Sequence, residues 1–272
     1  MVARVALVTG ASAGIGEATA RALAAAGRDR VRLVLVARRE PRLRALAAEL
    51  GGATVIPADL TDPDSHARIA EAVRAEHGAL HLLVNNAGAR WPGTFADTGW
   101  ENVARHLAID LEAPLRLTEA LLPLLRRTAA APDSAPVSIV NVASTAARIG
   151  RPSAGGYSAA KFALAGWSDA LHAEEAPHGI HVGLVLPGFV RTEGFPAAEL
   201  LARRRTRWIV AGPELAAEAI LQAAGWEGRR PRAEVYVPRR YALLAALRIL
   251  APGLVRRATA TGAFSTATRP RD

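Results

Sequence analysis

The chain has 272 residues, half of them apolar and 22% charged, enough to fill a sizeable core and too apolar for a disordered chain. It has no cysteine, which excludes a disulfide scaffold and a thiolate metal site. The formal net charge is +9, but the basic residues are dispersed and aromatics make up only 5% of the chain, too few for a nucleic-acid stacking platform.

Apolar runs and amphipathic segments alternate along the chain. Residues 5–8 form a short strand, and Gly14–Gly27 a helix with Ile15, Ala18, Ala22 and Leu23 on one face. Residues 31–36 are a β-branched run, 41–50 a charged helix, 54–56 a short extended piece and 63–77 a helix. A strand is predicted over 80–84, one long helix over 100–128, a strand over Val137–Val142 and a helix over 156–176. A strand over 180–186, a helix over 214–225 and a last strand over Glu234–Val237 complete the series. Strands that are apolar throughout, separated by helices, predict a parallel sheet covered on both faces. Seven of them in this order predict an α/β, doubly wound Rossmann domain. That single domain is expected over residues 1–260, with a C-terminal helical extension at about 239–257 and a frayed tail at 262–272. No apolar run reaches the ~20 residues of a membrane span, and residues 1–10 already read as a first strand rather than a removable leader. The protein is expected to be soluble and cytoplasmic, with no nucleic-acid partner and no metal.

The first strand runs into Gly10-Ala-Ser12-Ala13-Gly14-Ile15-Gly16 and then a helix. Glycines here let backbone N–H groups and a helix N-terminus approach a pyrophosphate. At the end of the second strand, Ala37 is followed by Arg38 and Arg39 instead of the acid that would bond ribose hydroxyls. Guanidinium forks suit a 2′-phosphate, so NADP(H) is expected over NAD(H).

All but one of the 34 Lys and Arg residues are arginine, and the exception is Lys161. A chain that uses arginine nearly everywhere and keeps one lysine points to a site needing a compact ammonium. Tyr157 stands four residues earlier, on the same helical face. A phenol ionises only near pH ~10; an ammonium one turn away favours its phenolate form and suits it to acid–base work. Ser144, just past the Val137–Val142 strand, can bond an oxyanion developing on the same substrate atom.

These pieces stand in a recognisable order: residues 9–16 (TGASAGIG), Asp59-Leu60, residues 85–88 (NNAG), residues 141–144 (NVAS), Tyr157-Ser-Ala-Ala-Lys161, Pro187-Gly188 and Thr192. Over roughly residues 4–240 the chain resembles the short-chain dehydrogenases/reductases of compact, single-domain type. The resemblance implies hydride exchange with a carbonyl or hydroxyl carbon. Tyr157 would then be the general acid/base, Lys161 its helper and ligand to the nicotinamide ribose, and Ser144 the residue that positions the substrate oxygen. Ser12, Ala13, Ile15 and the three glycines would hold the pyrophosphate, and Asp59 and Leu60 the adenine. Asn86, Ala87 and Gly88 would line the cofactor ribose; Pro187, Gly188, Val190 and Thr192 would fix the nicotinamide. Asn85 and Asn141 would instead tie neighbouring strands. One departure concerns the long helix, where the family carries an Asn and this chain reads Ile109-Asp110-Leu111. That Asn acts through its main-chain carbonyl in a proton relay, which Asp110 can also offer, although its charge near Lys161 would change the pH profile. A non-catalytic dinucleotide sensor or scaffold is the alternative on the same fold.

Family substrate loops would draw Arg90, Trp91, Ala146, Arg148, Ile149, Phe189 and Phe195 around the substrate, with Leu200 and Trp208 nearby. That mostly apolar set implies a hydrophobic ketone or secondary alcohol. The apolar segment Tyr241–Leu250, flanked by arginines, could pack on a second subunit, cover its own core or lie in a membrane interface; a homodimer or homotetramer is the family expectation.

Overall fold

A computed structural model describes residues 3–27, 30–195, 197–202 and 207–261, apart from the side chains at 198 and 199. The tail at 262–272 lies outside the described residues.

Seven strands form one parallel sheet: β1 (Arg4–Thr9), β2 (Val31–Ala37), β3 (Thr54–Pro57), β4 (Leu82–Asn85), β5 (Val137–Val142), β6 (Ile180–Pro187) and β9 (Glu234–Val237). Their spatial order is β3-β2-β1-β4-β5-β6-β9, so the winding reverses between β1 and β4. That reversal opens a crevice at the carboxyl ends of the strands. A separate short parallel pair, β7 (Phe189–Val190) with β8 (Val210–Ala211), lies outside the main sheet; two-residue strands carry no periodicity that a sequence could reveal.

Alternate residues of each strand face opposite sides, and both sides are covered. Ala6 and Val8 of β1, with Leu33 and Leu35 of β2, join the core under α1 (Gly14–Gly27), α2 (Glu40–Glu49) and α8 (Pro213–Ala223). Val5, Leu7, Val34 and Val36 face the core under α3 (Ser65–His77) and α5 (Ala113–Ala129). Being buried on two faces is why these strands are uninterrupted apolar runs.

β4 begins two residues later than its apolar run; the Leu80 amide donates to the Thr128 hydroxyl (3.0 Å) and not to a neighbouring strand. The long helix is in fact two. α4 (Phe95–Leu107) starts early, where the Thr94 hydroxyl accepts the Asp97 amide, and Gly99 breaks its regularity with φ 54°. Between α4 and α5 a π-helical turn spans Ala108–Glu112, the Ala113 amide bonding back to the Ala108 carbonyl. Pro114 has no N–H to give the Asp110 carbonyl its normal i+4 bond. The widened turn thus places Asp110 at the crevice with a main-chain oxygen left free of that bond.

α6 (Gly155–Glu175) packs beside β5 and β6. After α7 (Ala198–Ala202) and β9, two helices end the described residues: α9 (Tyr241–Leu250), and α10 (Pro252–Ala260), which reaches three residues beyond the expected helical region. The Tyr241 ring lies so close to Gly188 that any Cβ there would collide with it, and the Tyr241 hydroxyl donates to the Ile209 carbonyl at 3.1 Å. Gly188 therefore lets α9 dock on the turn after β6.

Candidate active site

A groove of about 570 Å³ runs along the carboxyl ends of the strands, within the ordinary size of a small-molecule site. Its floor is the turn after β1. Gly10 adopts φ 66°, and at Gly16, behind the loop, a Cβ would run into the Gly10 carbonyl; only glycine lets the first turn of α1 close on the loop. Ser12, Ala13, Gly14 and Ile15 line the groove in front of that helix N-terminus. Thr9 staples the turn after β4 to this floor: its hydroxyl accepts the Asn86 and Ala87 amides, each at 2.9 Å, and donates to the Val84 carbonyl at 3.1 Å. Asn86 and Ala87 are thereby fixed on the groove wall next to Gly88. Asn85 ties strands as expected, its amide donating to Asn141 Oδ1 at 2.9 Å, while Asn141 donates to the Ser168 hydroxyl.

One end of the groove is charged and exposed. Arg38 reaches within 3.7 Å of Asp59 with 76% of its side chain exposed. Arg39 donates to the Ser12 hydroxyl at 3.2 Å and to both Glu193 oxygens. Arg42 pairs with the same Glu193 at 2.7 Å. The Thr61 amide and hydroxyl, with Arg38, hold the Asp59 carboxylate below its usual range; Arg42 and Arg39 do the same to Glu193. Leu60 lines the wall between them and the glycine turn.

The other end is buried. Ser144 follows β5, 4% exposed, its hydroxyl donating to the Pro187 carbonyl (3.3 Å) and accepting the Ala146 amide (3.1 Å). Tyr157 and Lys161 project from the first turns of α6, with Lys161 Nζ 5.8 Å from the Tyr157 ring centroid. The ammonium donates to the Val142 carbonyl at 3.1 Å and lies 3.2 Å from Asp110 Oδ1, a charge contact outside hydrogen-bond angles. Asp110 Oδ2 in turn meets His106 Nδ1 at 3.0 Å, and the His106 ring packs edge-on to Tyr157, centroids 5.6 Å apart. The side chains of His106 and Asp110 have no solvent exposure at all. Pro187, Gly188, Val190 and Thr192 complete this end.

A cradle of backbone amides before a helix, guanidiniums at one end and a phenol beside a buried ammonium at the other fit a nicotinamide dinucleotide laid along the groove. Comparison with known proteins gives the same answer. The family model described as short chain dehydrogenase matches residues 4–199. The chain belongs to the short-chain dehydrogenase family. It is 36% identical to nodulation protein G of Rhizobium sp. (strain N33) over 71% of this chain and 75% of that one. It is 33% identical to the oxidoreductase UcpA of Escherichia coli (strain K12) over 75% of this chain and 74% of that one. Among solved structures it matches a short-chain dehydrogenase from Streptomyces avermitilis, with a TM-score of 0.76 at 30% identity, covering 98% of this chain and 100% of that one. A metagenomic short-chain oxidoreductase in complex with NADP matches with a TM-score of 0.71 at 30% identity, covering 87% and 97%.

In this short-chain dehydrogenase the expected substrate residues divide. Arg90, Trp91, Phe189 and Phe195 line the groove. Ala146, Arg148 and Ile149 do not: Ala146 is fully buried beneath the turn after Ser144, and Arg148 turns away to pair with Glu234 on β9. Leu200 is buried, and Trp208 lies half-exposed under the Arg240 guanidinium. Residues that sequence reading missed also line the site or hold those that do. His106 stands one helical turn before Asp110, a spacing that could have revealed the pair. Arg42 and Glu193 gave no comparable signal, because they are 151 residues apart. Arg151 joins the groove from a loop with no periodicity. No helix among the described residues is long and apolar enough to cross a membrane.

Proposed function

We propose that this NAD(P)-dependent oxidoreductase is an NADP(H)-preferring carbonyl reductase or secondary-alcohol dehydrogenase. The observation that carries the reading is the convergence of Ser144, Tyr157 and Lys161, the chain's single lysine, at one buried end of a groove whose other end presents Arg38 and Arg39. When bound, the nicotinamide supplies or accepts the hydride. The Ser144 hydroxyl orients the substrate oxygen, and the Tyr157 phenol gives that oxygen its proton in reduction and takes it back in oxidation. Lys161 keeps a positive charge beside Tyr157, favouring the phenolate left after proton donation. Asp110 is a positioning residue: its buried carboxylate and the Val142 carbonyl hold the ammonium in place. Its main-chain oxygen is available to a water in the proton path.

The guanidiniums of Arg38 and Arg39 are the groups suited to a 2′-phosphate, and Trp91, Phe189 and Phe195 favour a substrate with an apolar body. The apolar side chains exposed on α9 and α10, led by Leu243, Ile249 and Leu250, offer a surface for self-association into a homodimer or homotetramer. Parallel titrations of NADPH and NADH test the cofactor assignment. NADPH is expected to bind at least about tenfold tighter, ~1.4 kcal/mol; equal or tighter binding of NADH would show that the two arginines are surface charges.

A further inference from the structure

Several arginines of this chain meet carboxylates, Arg21, Arg44, Arg74, Arg116, Arg126 and Arg148 among them. Arg90 and Arg151 do not, and they stand inside the groove. Both line the groove together with Ser144 and Tyr157. Neither guanidinium has an ion pair or a hydrogen bond among the described residues, and the Nε of each is shut off from solvent with no partner. Their positions are nonetheless defined. Arg151 Cζ sits 5.1 Å from the Phe189 ring centroid and Arg90 Cζ 5.8 Å from that of Phe195. The two rings stack on each other, centroids 5.3 Å apart. Two guanidiniums thus flank a stacked aromatic pair beside the phenol.

Such an arrangement is costly as it stands. Burial pushes both guanidiniums down from their usual range, the Tyr157 phenol opposes that in each, and Arg90 adds to the effect at Arg151, so the two positive charges feel one another. A desolvated charge without a counter-charge is unfavourable; a planar fork held open on an aromatic face is well suited to an oxoanion. The cofactor does not account for the pair, because its phosphates belong at the glycine turn and at Arg38 and Arg39, the opposite end of the groove. Among the described residues the groups that act on their charge favourably are phenols, Tyr157 on both and Tyr241 on Arg151.

Building on the reductase reading above, we propose that the substrate carries an oxoanion, a carboxylate or a phosphate, close to its reacting carbon, and that Arg90 and Arg151 grip it while the rest of the molecule packs on Phe189 and Phe195. The substrate class is then an oxo acid or hydroxy acid, or the corresponding phosphate ester, rather than a neutral ketone.

The test compares matched pairs with NADPH: benzoylformate, acetoacetate and levulinate against their methyl esters, and dihydroxyacetone phosphate against dihydroxyacetone. The charged member of at least one pair should be favoured in kcat/KM by about tenfold or more, and which pair it is separates carboxylate from phosphate. In Arg151→Gln and Arg90→Gln that charged-to-neutral ratio should fall by about tenfold through KM, and Arg151→Lys should restore part of it. Calorimetric titration of the NADPH-loaded protein with the same compounds reads binding independently of turnover, and circular dichroism checks that the variants fold. The proposal is overturned if neutral members react and bind as well as charged ones. It is equally overturned if the glutamine variants slow both members alike, which would assign the arginines to Tyr157. Either result leaves the reductase intact. Loss of the reductase reading has a different signature: no NADPH binding and no turnover of any pair, with calorimetry without cofactor still deciding whether the anions bind.

Discussion

Both ends of the groove hold ionisable side chains, and they treat them oppositely. At the rim, Arg38, Arg39, Arg42, Asp59 and Glu193 form ion pairs with side chains 43–76% exposed. At the buried end, His106, Asp110 and Lys161 are at most 5% exposed. Water screens the first set, so each pair there contributes little to stability and its charges remain available to a ligand. The second set is sealed, and removing any member strands the others in a low-dielectric interior. Charge at the rim is suited to recognition, and charge in the interior to holding a catalytic geometry.

The sharpest way to break the contrast is at the phenol. Tyr157→Phe should cut kcat by about 10²–10⁴ while NADPH still binds, read by steady-state kinetics beside a cofactor titration; a sensor or scaffold would be indifferent to the change. Next comes Asp110→Ala, which leaves Lys161 without its carboxylate and should destabilise the fold by about 3–5 kcal/mol in urea unfolding. Asp110→Asn keeps the main-chain oxygen and the contact with His106, and should retain most activity with a displaced pH profile. A wild-type unfolding midpoint in Asp110→Ala would place the trio among screened charges. At the rim, Arg38→Ala with Arg39→Ala should leave stability nearly unchanged and cost about tenfold in NADPH affinity, narrowing the gap to NADH; an unfolding shift as large as that of Asp110→Ala would erase the distinction between the two ends.

The same rule extends to the far end of the sheet. His81 is buried, and its Nδ1 accepts the Val5 amide at 3.0 Å. Burial, reinforced by Arg4, holds its imidazole below the usual histidine range. The unfolded chain, with an ordinary histidine near pH ~6.5, therefore takes up the proton first as pH falls. His81 contributes full stability above that pH and loses it progressively below, until the folded form also protonates. The slope is at most ~1.4 kcal/mol per pH unit. His81→Asn, which can still accept the Val5 amide, should flatten the stability profile below pH ~6.5, measured by urea unfolding across that range; an unchanged slope would mean that other groups set it.

Much of this was legible without coordinates. The apolar runs at 5–8 and 31–36 predicted strands buried on both faces, since only burial on two sides removes the polar alternation. The glycines between the first strand and helix predicted a backbone cradle, because no other residue permits that closeness, and a single lysine one turn after a tyrosine pointed to two residues that the fold brings to one end of the groove. Local chemistry is sufficient for such features. The π-helical turn is consistent with Pro114, which lacks an N–H, but the segment reads as helix until its hydrogen bonds are followed.

What only the tertiary structure decided are the encounters between distant residues. Sequence alone expected Arg148 at the substrate; packing gave it to Glu234 and brought Arg151 to the groove instead. It could not pair Arg39 with Glu193, 154 residues away, or lay the Tyr241 ring on Gly188. An arginine has the same chemistry wherever it stands in a chain this rich in arginine. Whether it meets a carboxylate, a ring face or an empty groove depends on which loops the sheet brings together, and that is a property of the fold as a whole.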